Sequence, residues 1–198
     1  MKYDILKDMP QKALENKDTT SLKWKKDVID FFYDKNLNSC LEVGTCYGVT
    51  AKLLSSLFNK VDTLEISEKR LVKAREYCSG ISNINFHCKN AYDTKTYDEL
   101  DNHYDVVVID CMHIYENVIF DINQALTRFN EDTGIYIVFD DYGHPDSPGV
   151  NKAVNKAIED GLVVESYIGE PAGFKVDRID GSSFTTIHHE GIILSYGK

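Results

Sequence analysis

Leu41-Glu42-Val43-Gly44-Thr45-Cys46-Tyr47-Gly48-Val49-Thr50 is the stretch on which the fold turns. A short apolar run, Cys40–Val43, stops at a glycine, and a helical pattern covering Val49–Phe58 begins directly after a second one. Strand, glycine turn and helix in that order open a βαβ unit. Gly44 permits a sharp exit from the strand, and Gly48 lets the helix start lie close to strand and ligand. A pyrophosphate-binding loop needs a further glycine midway, where the backbone approaches the phosphates. Cys46 stands there, which disfavours a pyrophosphate and leaves room for a bulkier ligand without one. Taken alone, the loop reads equally well as a plain strand-to-helix turn.

Outward from this loop the period repeats. Apolar runs recur at Val61–Ile66, Ile84–Cys88, Tyr104–Ile109 and Gly134–Phe139, with helical patterns at Glu68–Cys78 and Val118–Phe129 between them. Asp105-Val106-Val107-Val108-Ile109-Asp110 is apolar without alternation, as a central strand buried on both faces should be. After Pro148-Gly149 comes a helical pattern over Val150–Asp160, then β-rich stretches at Leu162–Ile168 and about Ser183–Tyr196, separated by turn chemistry. The expected fold is α/β: a doubly wound sheet of about seven strands, mostly parallel, with an antiparallel C-terminal strand. Upstream, Thr20 and Ser21 offer N-caps to an amphipathic stretch that runs from Leu22 to Asn36. We expect one domain over 1–198: a helical extension over 1–37 lying as a lid across a pocket, a ligand-binding core over 38–160, and C-terminal strands over 161–198.

Composition excludes several classes. The chain has 198 residues, 42% hydrophobic and 27% charged, with no apolar run approaching a bilayer span and no signal-peptide pattern at Met1-Lys2-Tyr3-Asp4. Five cysteines without a C-x-x-C pair argue for reduced thiols and a cytoplasmic protein. A net charge of −10 argues against a nucleic-acid partner. Residues 90–150 hold 2 basic and 13 acidic side chains, so they carry the whole excess. A solvated acidic surface accounts for most such clusters. Several of these acids, however, end apolar strands, where a bare carboxylate is costly unless something binds it.

Ligands of open parallel sheets sit beyond the carboxyl ends of the strands. Glu65 ends the second strand, 21 residues after Gly44, where an acid accepts hydrogen bonds from ribose hydroxyls. Asn90-Ala91 follows the third strand and offers an amide to a purine edge. Asp110 ends the fourth strand, and Asp140-Asp141 the fifth. Three carboxylates at adjacent strand ends repel one another, and a hard divalent cation would resolve the repulsion. Consecutive acids after a strand are also ordinary turn formers, and it is Asp110 on the neighbouring strand that favours the cation. His113, three residues on, reads as a base or as a plain loop histidine. His188-His189-Glu190 reads as strand and turn surface. Tyr142, Tyr115, Trp24 and Tyr47 read as pocket wall or core.

With these residues in view, the chain resembles the class I S-adenosylmethionine-dependent methyltransferases over roughly 38–160. Glu42-x-Gly44-Thr45-x-x-Gly48-x-Thr50, Glu65 and Asn90-Ala91 are similar to the cofactor half of that family, in the subgroup related to catechol O-methyltransferase. Ile109-Asp110-Cys111-Met112-His113-Ile114-Tyr115-Glu116 and Asp140-Asp141-Tyr142 are similar to the paired motifs of small-molecule O-methyltransferases, including those acting on sugars of natural products. Cys111 departs from a glycine in that pattern. The resemblance implies S-adenosylmethionine at Glu42, Gly44, Thr45, Gly48, Glu65, Ile66, Asn90, Ala91 and Asp110. It further implies Mg²⁺ at Asp110, Asp140 and Asp141, and catalytic roles for His113 and Asp110. The expected reaction is methyl transfer to a hydroxyl of a small molecule, without nucleic acid or membrane; a homodimer is compatible with the sequence. The rivals are a metal-independent N- or carboxyl-methyltransferase, a non-catalytic nucleoside-binding module of the same fold, and a nicotinamide-dependent oxidoreductase, the last weakened by Cys46.

Overall fold

Strand β4, Val106–Ile109, shows why the sheet must be covered on both sides. Val106 and Val108 pack into one apolar cluster, Val107 and Ile109 into another, and all four are buried. The computed structural model describes residues 2–14, 20–101, 103–178 and 180–198. Around β4 lie β1 (Ser39–Val43), β2 (Lys60–Glu65), β3 (Ile84–Cys88), β5 (Ile135–Phe139), β6 (Val163–Ile168) and β9 (Gly191–Tyr196). Their order is β3-β2-β1-β4-β5-β9-β6. The first five run parallel, and β9 is antiparallel to both β5 and β6. The order reverses between β1 and β4, which opens the crevice in which such sheets bind ligands. The expected fold class is the one observed.

One face is covered by α7 (Tyr115–Leu126) and α8 (Pro148–Glu159), whose Val118, Ile122, Val150 and Val154 meet Val107, Ile109, Ile137 and Phe139. The other is covered by α3 (Leu22–Phe32) and α4 (Val49–Leu54). Ser21 caps α3, its hydroxyl accepting from the Trp24 amide at 2.9 Å. Trp24, Val28, Ile29 and Phe32 are almost wholly buried among Cys40, Val106, Val138 and Ile193. Helix α3 is therefore a core layer and not a lid across a pocket: its apolar stripe has a sheet face to bury. It stops at Phe32, short of Asn36, which takes a left-handed φ of 52°. Helix α4 likewise ends before Phe58, where the Ser55 and Ser56 hydroxyls donate back to the Lys52 and Leu53 carbonyls.

Short helices α1 (Asp4–Lys7), α2 (Gln11–Leu14) and α6 (Thr94–Asp98) carry no periodic signal in the sequence, and α5 (Glu68–Tyr77) follows β2 as expected. The β-rich stretch at the C-terminus is two strands rather than one. Its first part, β8 (Ser183–Thr185), pairs with β7 (Lys175–Asp177) in a separate hairpin, and only β9 joins the main sheet. Part of the N-terminal extension, residues 15–19, lies outside the described residues.

Candidate functional site

Loop β1–α4 is shaped by two backbone bonds and a close approach. The Gly44 and Thr45 amides both donate to the Leu64 carbonyl at 3.0 Å. Gly44 has φ +108°, and a Cβ there would stand 1.9 Å from the Asp110 carbonyl oxygen, so the loops after β1 and β4 touch backbone to backbone. Cys46 sits in the left-handed region, and its amide donates to Glu65 Oε2 at 3.0 Å. The Ser67 amide donates to the other oxygen at 2.9 Å. Glu65 is thus fixed and nearly buried at the mouth of the turn.

A cavity of about 290 Å³ opens over these groups. Of the residues singled out from sequence, Gly44, Glu65, Ile66, Asn90, Ala91 and Asp110 line it. Glu42, Thr45 and Gly48 do not, and they support the loop from behind. Thr63 Oγ1 donates to Glu42 and bonds Thr45 Oγ1 at 2.6 Å. Glu42 is wholly buried, and burial pushes its carboxyl up to about 8. Gly48 takes φ +80°, and a side chain there would press on Ala74 and Cys78 of α5 and its cap. Cys46, Arg70, Lys89, Tyr92 and Met112 also line the cavity.

On the far side of Asp110 lies a second cavity of about 570 Å³. Asp110, His113, Asp140 and Asp141 all face it. His113 Nε2 stands 3.0 Å from Asp141 Oδ2 and 4.0 Å from Asp110 Oδ1. The ligating atoms of Asp110, His113 and Asp141 fall within 4.8 Å of one another, so the compact group contains the histidine in place of Asp140. Asp140 lies beside it with a buried oxygen, Oδ1, that has no hydrogen-bond partner among the described residues. Burial pushes the Asp140 carboxyl well up, and its carboxylate neighbours add to this. Burial also raises Asp110. The neighbouring carboxylates of Asp110 and Asp141 hold the His113 proton up to about 10.

Two residues at or behind this acidic wall have no motif to announce them. Glu190 is half-buried and firmly held: Ser21 N donates to it at 2.7 Å, Ser21 Oγ at 2.5 Å and Glu170 N at 3.0 Å. It lines the larger cavity and ties it to the start of α3. Lys25, fully buried, donates to Thr20 Oγ1 at 2.9 Å and to the Thr20 carbonyl. Burial pushes it down to about 8 against the pull of Glu190, Asp140 and Asp110. The aromatic candidates line neither cavity. Trp24 and Tyr142 are buried, and Tyr142 donates to Asn155 Oδ1 at 3.0 Å. Tyr47 is exposed.

A family profile described as a methyltransferase domain matches residues 40–132. Among solved structures, an O-methyltransferase from Bacillus cereus, in complex with S-adenosylhomocysteine, aligns with a TM-score of 0.65 at 18% identity, covering 98% of this chain and 89% of that one. A candidate O-methyltransferase from Klebsiella pneumoniae aligns with a TM-score of 0.67 at 15% identity, covering 98% and 88%. The N-methyltransferase NodS from Bradyrhizobium japonicum aligns with a TM-score of 0.58 at 11% identity, covering 86% and 92%. At such identities the likeness is one of fold, and it spans enzymes with different acceptor atoms. No curated protein matches the sequence.

Proposed function

Residues 40–132 matching a methyltransferase-domain profile, we propose that this chain transfers the methyl group of S-adenosylmethionine to a hydroxyl oxygen of a small molecule. The observation that carries the reading is Asp110, which lines both cavities. The smaller cavity has the groups a nucleoside needs, a fixed carboxylate at Glu65 and an amide at Asn90. The larger one has an acidic wall and a histidine. A donor in the first and an acceptor in the second would meet at Asp110.

In the transfer, the acceptor oxygen attacks the sulfonium methyl, the methyl–sulfur bond breaks, and S-adenosylhomocysteine leaves. The methyl is already activated, so the protein must align the two partners and remove one proton. Glu65 orients the ribose, and Asn90 with Ala91 the purine. His113 accepts the hydroxyl proton at Nε2.

The carboxylates fit a divalent cation. Asp140 has a buried oxygen without a partner, and oxygen donors with one imidazole suit a hard or borderline ion. Held by Asp110, Asp140 and Asp141, such an ion would neutralise the wall, acidify the acceptor hydroxyl and release His113 from the carboxylates that keep it protonated. The test is formation of S-adenosylhomocysteine across a panel of hydroxyl- and nitrogen-bearing acceptors, with Mg²⁺ and with chelator. Turnover of hydroxyl acceptors that needs Mg²⁺ and is lost in Asp141→Asn is expected. Full activity under chelation and in that variant would make the carboxylates structural.

A further inference from the structure

Hairpin β7–β8 builds the far wall of the larger cavity, and nothing in the proposed transfer uses it. We propose that Arg178 and His144 form an oxyanion subsite on that wall, so that the ligand of the larger cavity carries a carboxylate or phosphate group. That this ligand is also the methyl acceptor rests on the function proposed above; the subsite itself does not.

His144, in the loop after β5, is 8% exposed. The Asp146 amide donates to its Nδ1 at 3.1 Å. A backbone N–H can only donate, so Nδ1 carries no proton and the ring proton sits on Nε2. Nε2 is the atom that faces Nη2 of Arg178. A guanidinium holds donors alone. Nη2 and Nε2 are therefore two donors in direct contact, with no acceptor for either among the described residues.

The guanidinium has no other hydrogen bond or ion pair among the described residues, although acids surround it. The Asp180 carboxylate is engaged elsewhere, accepting from Ser182 N at 2.9 Å and Ser182 Oγ at 2.6 Å. Phe184 holds both donors in place: its ring centroid lies 3.9 Å from the imidazole centroid and 4.9 Å from the guanidinium carbon. A planar fork fixed on an aromatic face loses little freedom when it binds. A carboxylate or phosphate oxygen that parts the two nitrogens and accepts from both satisfies them and balances the charge. The cavity is then bipolar, with carboxylates at the sheet and paired donors at the hairpin.

The test titrates the full chain with inorganic phosphate and, separately, with acetate, against chloride at equal ionic strength. Saturable binding of either anion is expected in the wild type, at least tenfold weaker in Arg178→Gln, with S-adenosylhomocysteine binding equally in both. Phosphate alone would mark a phosphorylated ligand, and acetate alone a carboxylate. Absence of saturation, or equal anion affinity in a variant that still binds S-adenosylhomocysteine, overturns the subsite. Should Arg178→Gln lose S-adenosylhomocysteine as well, His144→Phe decides, since it keeps a ring against Phe184 without the donor; unchanged affinity there overturns the proposal. A wild type that binds phosphate but no S-adenosylhomocysteine would count against the methyl-donor reading and leave the subsite standing.

Discussion

At the scale of single residues, two groups carry their protons far from their ordinary range, with consequences that can be measured. Burial holds Glu42 up to about 8, against about 4.3 in an unfolded chain. The folded state keeps a proton that the unfolded state releases between those values. The stability tied to it is full below about pH 4.3 and is lost as pH rises through 8, at no more than about 1.4 kcal/mol per pH unit. Glu42→Gln should therefore gain on the wild type in denaturant unfolding as pH goes from 6 to 8.5, and parallel curves would contradict the burial argument. His113 is held protonated up to about 10 by Asp110 and Asp141. Its ring proton resonance in metal-free protein should titrate well above the ordinary value near about 6.5, and fall toward that value in Asp141→Asn. With the base role in force, His113→Ala should cost about 10²–10⁴ in kcat with cofactor affinity little changed. At this scale the sequence is informative where spacing is informative. Glu65, Asn90 and Asp110 could be placed because each ends a strand or closely follows one. Glu190 and Lys25 could not, because each owes its role to a long-range contact, with Ser21 and under the acidic wall.

Elements meet in this fold through backbone contact, and Gly44 is the sharpest instance. A methyl group there would overlap the Asp110 carbonyl, 1.9 Å away, with only backbone to move aside. Gly44→Ala should cost roughly 2–4 kcal/mol, part left-handed strain and part forced separation of the β1 and β4 loops. Gly161→Ala is the matched control: its φ of +111° is nearly the same, but no atom lies within 4 Å of the added carbon. Unfolding free energies of the two variants separate conformation from contact, and equal losses would show that the loops do not depend on this approach. Element reading from sequence succeeded wherever an apolar run had both faces or one stripe to bury, as in β4 and α7. It failed on α6 and on hairpin β7–β8, whose segments are too short to show a period. It misplaced α3 as a lid, since an amphipathic pattern tells that a face is buried and not against what.

At the scale of the whole molecule, two cavities share one strand end at Asp110, and Asp140, Asp141 and Glu190 add carboxylates to the larger one. The sheet order β3-β2-β1-β4-β5-β9-β6 puts Glu65 and Asn90 on one side of Asp110, and Asp141 and Glu190 on the other. No helix of the described residues is long and apolar enough to cross a membrane. The sheet order was open to sequence reasoning only as a class. Which strands are neighbours depends on crossovers that no local pattern records, and the two cavities exist only once β1 and β4 lie side by side. The division of labour between them is the central claim, and a calorimetric titration with S-adenosylhomocysteine tests it most directly. One site is expected in the wild type. Its affinity should fall at least tenfold in Glu65→Ala, where charge-assisted hydrogen bonds worth about 1.5–3 kcal/mol each are lost. It should be nearly unchanged in Asp141→Asn, which alters only the larger cavity. No binding by the wild type, or full affinity in a folded Glu65→Ala variant, would contradict the account.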